Sequence, residues 1–153
     1  MYPSPYIRFK SAREEGEWFN GCGVAAGTGV IHPALYVMAL AAAHWYFRAT
    51  GNPAVVTNIL RSRQEQLEIY PDAPSRRSPH EFGRALDFRT RELGPEAARR
   101  WEDWLNQAFS YRGRAESRTA LVHETGGRGE HLHLQVGPAE SLPRHPDTFL
   151  STV

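Results

Sequence analysis

The apolar positions fall into short blocks with distinct periods, and those periods predict the elements. Ala34 to Thr50 is rich in Ala, Leu and Met, follows Pro33 at a first-turn position and ends at Gly51. That pattern predicts a central buried helix. Ala54 to Leu60 is short and β-branched, which predicts a strand. Ser62-Arg63-Gln64-Glu65 then fits a capping box, so a second helix starts here, runs to about Tyr70 and stops at Pro71. Arg61 falls at the junction of strand and helix, where a side chain can reach into a cleft. Pro71 to Phe82 holds three prolines and reads as a loop, and Arg84 to Arg89 is short enough for a strand. Pro95 to Phe109 places Trp101, Trp104, Leu105 and Ala108 at spacings of three and four, predicting a helix whose tryptophans are core. Thr119 to Glu124 and His131 to Val136 read as two strands around the turn Thr125 to Gly129.

The two ends carry weaker patterns. Gly21, Gly23, Gly27 and Gly29 lie close together, and the first thirty residues read as irregular. The tail, with Pro138, Pro143 and Pro146, reads as wrapped loop. No internal repeat, low-complexity tract or linker divides the chain, so residues 1–153 are expected to form one domain. The order is helix, strand, helix, strand, helix, strand, strand, closed by a hairpin. It implies an α+β fold with a small, mostly antiparallel sheet packed with helices, rather than a doubly wound parallel sheet.

Composition narrows the function classes. At 153 residues, with 41% hydrophobic and 23% charged residues, the chain can bury a core and is neither disordered nor fibrous. Eighteen Lys+Arg against seventeen Asp+Glu leave +1, so no global basic field for nucleic acid or an anionic membrane is built in. Gly21 to Phe47 lacks Asp, Glu, Lys and Arg, but its continuous apolar part, Ala34 to Ala43, is far short of the roughly 20 residues of a membrane span. The N-terminus has no apolar core behind a basic start and carries Glu14, Glu15 and Glu17. A monomer made in the cytoplasm without a signal peptide is expected, which also suits a phage-encoded protein released to the cell wall. The tally of seven His and one Cys, Cys22, excludes an internal disulfide framework and a multi-cysteine zinc site. Any metal must be held by His and carboxylate.

Two segments concentrate such groups: Ser78-Pro79-His80-Glu81-Phe82-Gly83-Arg84-Ala85-Leu86-Asp87, and Glu130-His131-Leu132-His133. Imidazole and carboxylate suit zinc. Three protein ligands and one open position would make a catalytic centre, where water binds and loses a proton near neutral pH. Asp87 lies in an otherwise apolar strand, and a buried carboxylate is costly unless paired or coordinated.

Ser78, His80, Gly83, Ala85 and Asp87 match the SxHxxGxAxD pattern of the zinc D-alanyl-D-alanine carboxypeptidases and of the L-alanyl-D-glutamate endopeptidases found among phage endolysins. The upstream Arg61-Ser62-Arg63-Gln64-Glu65-Gln66 resembles that family's RSxxxQ segment. Glu130-His131-Leu132-His133 resembles its ExxH element, in the family's order, though Leu132 stands where the family has Trp. The resemblance spans roughly Val55 to Val136. It implies the Hedgehog-type fold and hydrolysis of peptidoglycan stem peptides, with zinc (Zn2+) held by His80, Asp87 and His133. It further implies Glu130 as general base. Arg61 would hold a substrate carboxylate or stabilise the oxyanion, with Ser78 and Gln66 supporting substrate and ligand loop.

The base has a rival. On a regular strand His131 and His133 share one face and Glu130 the other. Glu130 can join His133 only from the turn or beside a bulge, and in related zinc peptidases with an HxH pair the first His is also catalytic. His123 reads as structural, and His32, His44 and His145 are given no role. Two other functions stay open: a zinc-containing binding module without turnover, and a phage structural component of the same fold. Carboxypeptidase and endopeptidase action are not distinguished.

Overall fold

The computed structural model describes residues 4–21, 31–111, 118–125, 127 and 129–137. The expected tail loop, most of the glycine-rich stretch with Cys22, part of the 125–129 turn and His145 lie outside them. Five strands form one sheet, β1 (Ile7–Phe9), β2 (Ala54–Asn58), β3 (Ala85–Arg89), β4 (Ala120–Glu124) and β5 (Glu130–Gln135), in the order β1-β2-β3-β5-β4. Only β1 and β2 are parallel; the other neighbours are antiparallel. Four helices accompany the sheet: α1 (Ala12–Gly21), α2 (Pro33–Thr50), α3 (Arg63–Ile69) and α4 (Pro95–Ala108). The fold is α+β, as the element order implies. No helix among the described residues is long and apolar enough to cross a membrane.

The N-terminal region departs from expectation. Residues 7–9 form β1 and residues 12–21 form α1. The strand is three residues long and exists through its parallel pairing with β2. The helix begins where Ser11 Oγ accepts from Arg13 N at 3.2 Å and donates to Glu14. Ser11-Ala12-Arg13-Glu14 is thus a further S-x-x-E start signal. Arg13 then ties α1 across to α3 through both oxygens of Glu65 and to the carbonyl of Leu60. Glu17 accepts from Leu60 N at 3.1 Å. These contacts fix the β2–α3 junction on which Arg61 sits.

The Arg13 hydrogen bonds, against some desolvation, hold the Glu65 carboxyl down to about 2 from its ordinary 4.5. The folded-state value is depressed, so the contribution to stability is present above about pH 4.5 and is lost as pH falls toward 2. Arg13→Ala is expected to cost under about 1 kcal/mol at pH 7, because the pair is partly exposed. It should also flatten the loss of stability between pH 4.5 and 2, as read by denaturant titrations across that range.

The remaining helices follow their caps. His32 Nδ1 accepts from Ala34 N, Pro33 fills the first turn, and Gly51 closes α2 with φ 73°. Ser62 and Glu65 make the expected reciprocal capping box of α3. The apolar face of the sheet, with Leu86, Phe88, Val122, Leu132 and Leu134, packs with α2 and α4. Trp101 is fully buried between Trp45, Tyr46 and Phe88, and its Nε1–H donates to the Ala42 carbonyl at 3.1 Å. The opposite face of the same strands carries the polar residues.

Candidate metal centre

Pairing in the sheet decides which side chains meet. Asp87 lies opposite His133 on the β3–β5 ladder, Arg89 opposite His131, and His123 of β4 opposite His131 on the other side. With a side-chain period of two, Asp87, His123, His131 and His133 share one face, while Leu132 and Leu134 take the core. His80 arrives from a separate piece, a 3-10 turn over Pro79–Phe82 within the expected loop. Ser78 caps that turn by accepting from His80 N, Glu81 returns a bond to Ser78 N, and Gly83 ends it with φ 64°. The Gly of the SxHxxGxAxD pattern is therefore required by a left-handed backbone.

The ligand atoms converge. His80 Nε2 is 3.2 Å from Asp87 Oδ1, His133 Nδ1 is 2.9 Å from the same oxygen, and the two nitrogens are 3.3 Å apart. Tetrahedral zinc with bonds of about 2.0–2.1 Å places its ligand atoms about 3.3 Å apart. The donor set and its spacing therefore fit a zinc ion. His80 and Asp87 are buried and His133 is partly buried. Burial alone would push the Asp87 carboxyl up, but the adjacent His80 and His133 imidazoles outweigh it and hold it well below the usual range.

Outer partners orient each of these groups. His80 Nδ1 donates to the Ile59 carbonyl at 2.8 Å, leaving Nε2 for the cluster. His133 Nε2 donates to Gln135 Oε1 at 3.3 Å, leaving Nδ1, and Gln135 is anchored by donating to the Arg118 carbonyl at 2.7 Å. Asn58 Nδ2 donates to Asp87 Oδ2 at 3.2 Å, so Oδ1 is the oxygen turned to both imidazoles. Such partners set the tautomer and aim of metal ligands. Asn58 reaches this face through an irregularity in β2. Val56 pairs with Phe88 but Asn58 pairs with Asp87, so one extra residue, Thr57, is accommodated between them. A regular strand would aim Asn58 the same way as buried Val56; the bulge turns it to the cluster. Asn58→Ala is expected to weaken zinc binding by about 10- to 100-fold, measured by competition with a chromophoric chelator; an unchanged affinity would leave Asn58 a purely structural part.

The expected bases separate. β5 pairs regularly with β3 over His131 to Gln135 and with β4 over Glu130 to Leu134, where Glu130 lies opposite Glu124. Strand alternation starts its side chain on the face opposite His131 and His133, while Glu130 also lines the wider cavity that Asp87 and His131 line. Its carbonyl accepts from Thr90, and no hydrogen bond or ion pair joins its side chain to the cluster. His131 Nδ1 donates to the Gly129 carbonyl at 3.2 Å, and Nε2 comes within 3.8 Å of Asp87 Oδ1. Of the two rivals, His131 is the one beside the ligands.

Gln66 and Ser78 are buried residues on the wall of the smaller cavity. Gln66 is buried and accepts from Arg61 at 2.9 Å, so it aims the guanidinium, while the Ser78 hydroxyl is spent on the turn. His123, read as structural, lines the site beside His131, with ring centroids 4.6 Å apart. Its Nε2 is buried without a hydrogen-bond partner among the described residues. Burial, then the neighbouring imidazoles of His131 and His133, push its pKa down to about 4 and keep it neutral at pH 7.

The cluster sits where two cavities meet. A smaller one of about 210 Å³ holds His80, His133, Gln66, Tyr70, Arg76 and Arg77. A wider one of about 620 Å³ runs toward Lys10, Arg89 and Glu130. Both include Arg61, Asp87, Thr125 and His131. Comparison of the chain with protein-family models, curated proteins and solved structures returned no match, so the family resemblance rests on the motif residues themselves.

Proposed function

We propose that the chain is a zinc peptidase that hydrolyses peptide stems of the bacterial cell wall. The observation that carries this reading is the convergence of His80 Nε2, Asp87 Oδ1 and His133 Nδ1 at ligand spacing, each group aimed by an outer partner, at the meeting of two cavities. The bacterial wall as substrate comes from the motif resemblance; hydrolysis of a peptide bond is what the site's own chemistry supports.

Zinc held there would supply a Lewis acid that activates water and polarises the scissile carbonyl. The chain's residues do the rest. His131, with its proton on Nδ1 and committed to Gly129, offers a free Nε2 beside the cluster. That atom takes the proton from the attacking water and returns it to the leaving amine as the C–N bond breaks. Arg61, held by Gln66, offers its guanidinium to the oxyanion or to a substrate carboxylate. His123, neutral and packed against both neighbouring imidazoles, walls the site.

The test is zinc content together with the release of new amino groups from purified peptidoglycan, run in parallel with His80→Ala. Zinc at one equivalent and wall hydrolysis, both lost in the variant, are the expected results. Zinc without hydrolysis would make the chain a binding module, and neither zinc nor hydrolysis would end the proposal.

A further inference from the structure

A third cavity lies outside the cleft, where the C-terminal end of α4 meets the start of β4. It encloses about 440 Å³ and is lined by Asp103, Asn106, Gln107, Phe109, Tyr111 and Arg118. That volume is within the range of about 300–1,000 Å³ usual for small-molecule sites. Part of its wall is fixed by internal bonds. The Asn106 amide donates to the Ala120 carbonyl at 2.9 Å and accepts from Ala120 N at 3.0 Å, clamping β4 to α4. Thr119 Oγ1 donates to the Phe109 carbonyl at 2.9 Å, and Trp104 meets the Phe109 ring edge-on with centroids 6.5 Å apart.

Three polar groups on that wall are left over. Asp103 and Gln107 stand one turn apart on α4, and neither they nor the Tyr111 hydroxyl has a hydrogen-bond or ion-pair partner among the described residues. A carboxylate, a primary amide and a phenol together accept and donate, which suits the hydroxyls of a sugar. Phe109 and Tyr111 add apolar ring surface suited to the C–H face of a sugar ring. Charge does not point to an anion, because Arg118 is 3.3 Å from the buried Glu102 carboxylate. A peptide strand is disfavoured as well. β4 is the edge strand, but the backbone of Ala120 is taken by Asn106 and that of Val122 by Glu102 and Arg99.

The cavity lies beside the cleft. Gln135, which holds His133 and lines the smaller cavity there, donates to the carbonyl of Arg118, a residue on the wall of the third. We propose that this third cavity is a saccharide subsite. It holds an uncharged, hydroxyl-bearing sugar of the wall glycan while the peptide stem joined to that glycan lies in the cleft. The choice of the wall glycan rests on the function proposed above.

The experiment uses the full chain and, as probe, a peptide-free tetrasaccharide cut from purified wall glycan. Binding is followed by nuclear magnetic resonance, and hydrolysis is compared on glycan-linked and sugar-free stem peptides. The parent is expected to bind the tetrasaccharide with a Kd of about 1 mM, shifting the backbone amides of Gln107, Tyr111 and Thr119. Gln107→Ala and Tyr111→Phe should each weaken binding by about three- to tenfold, the loss of one hydrogen bond. Each should lower the preference for glycan-linked over sugar-free stems by a similar factor. No binding by the parent, shifts confined to another part of the molecule, or affinity unchanged in both variants overturns the subsite. Saccharide binding without hydrolysis of either stem upholds the subsite and overturns the peptidase reading. Hydrolysis without saccharide binding does the reverse, so the two failures are distinct.

Discussion

Asp87→Ala is expected to remove zinc binding and hydrolysis together. Asp87 Oδ1 is the atom common to both imidazole contacts, and it holds the centre of the ligand set. Loss of an outer partner already costs about 10- to 100-fold in metal affinity, and loss of a ligand should exceed that. Thermal unfolding gives a sensitive measure. Zinc at about 1,000 times its Kd stabilises a protein by about 4 kcal/mol, which for a chain of this size raises Tm by on the order of 10 °C. The parent should show that rise and lose it on adding a chelator. Asp87→Ala should show no zinc-dependent rise and no turnover. A variant that kept both would remove the metal centre from the proposal.

The second large effect separates the two bases. His131→Gln should lower kcat by about 10²- to 10⁴-fold, the usual range for losing a positioned proton acceptor, while zinc content stays at the parent level. Glu130→Gln should change kcat by only a few-fold, since no hydrogen bond or ion pair joins its side chain to the ligand cluster, whereas His131 Nε2 lies 3.8 Å from Asp87 Oδ1. Steady-state rates of both variants, with zinc measured in the same samples, decide the matter. The reverse pattern, with Glu130→Gln inactive and His131→Gln fully active, would require β5 to bulge on binding substrate.

The legible parts of this fold were those in which local and global preferences agree. The helix α2 declared itself by Pro33, an apolar run and Gly51, and α3 by the Ser62–Glu65 box. The hairpin of β4 and β5 showed in its alternation, and the ligand residues in their spacing. The illegible parts depend on distant contacts. The strand β1 has three residues and no pattern of its own; it is made by β2. The helix α1 carries Gly16 and few apolar residues, so its Ser11–Glu14 start signal is followed by no apolar period that would mark a helix. Asn58 looked like one more strand residue, because a bulge is a property of two strands and alternation describes one. Gln135 was within reach of sequence reasoning, two residues from His133 and so on its face. His123 required the register of β4 against β5, which sets it opposite His131.

That register has a further meaning for how the protein tolerates change. Odd-numbered positions of β5 from 131 to 135 serve the cleft, and Leu132 and Leu134 serve the core. One strand therefore encodes folding and chemistry in interleaved letters, and the burial of the two leucines is what selects the frame in which His133 meets Asp87. A substitution at one letter alters one message. An insertion or deletion of a single residue within β5 shifts the frame, sending imidazoles into the apolar core and leucines into the cleft, whereas a change of two residues restores the parity. The site is guarded by a count of residues as much as by their identity.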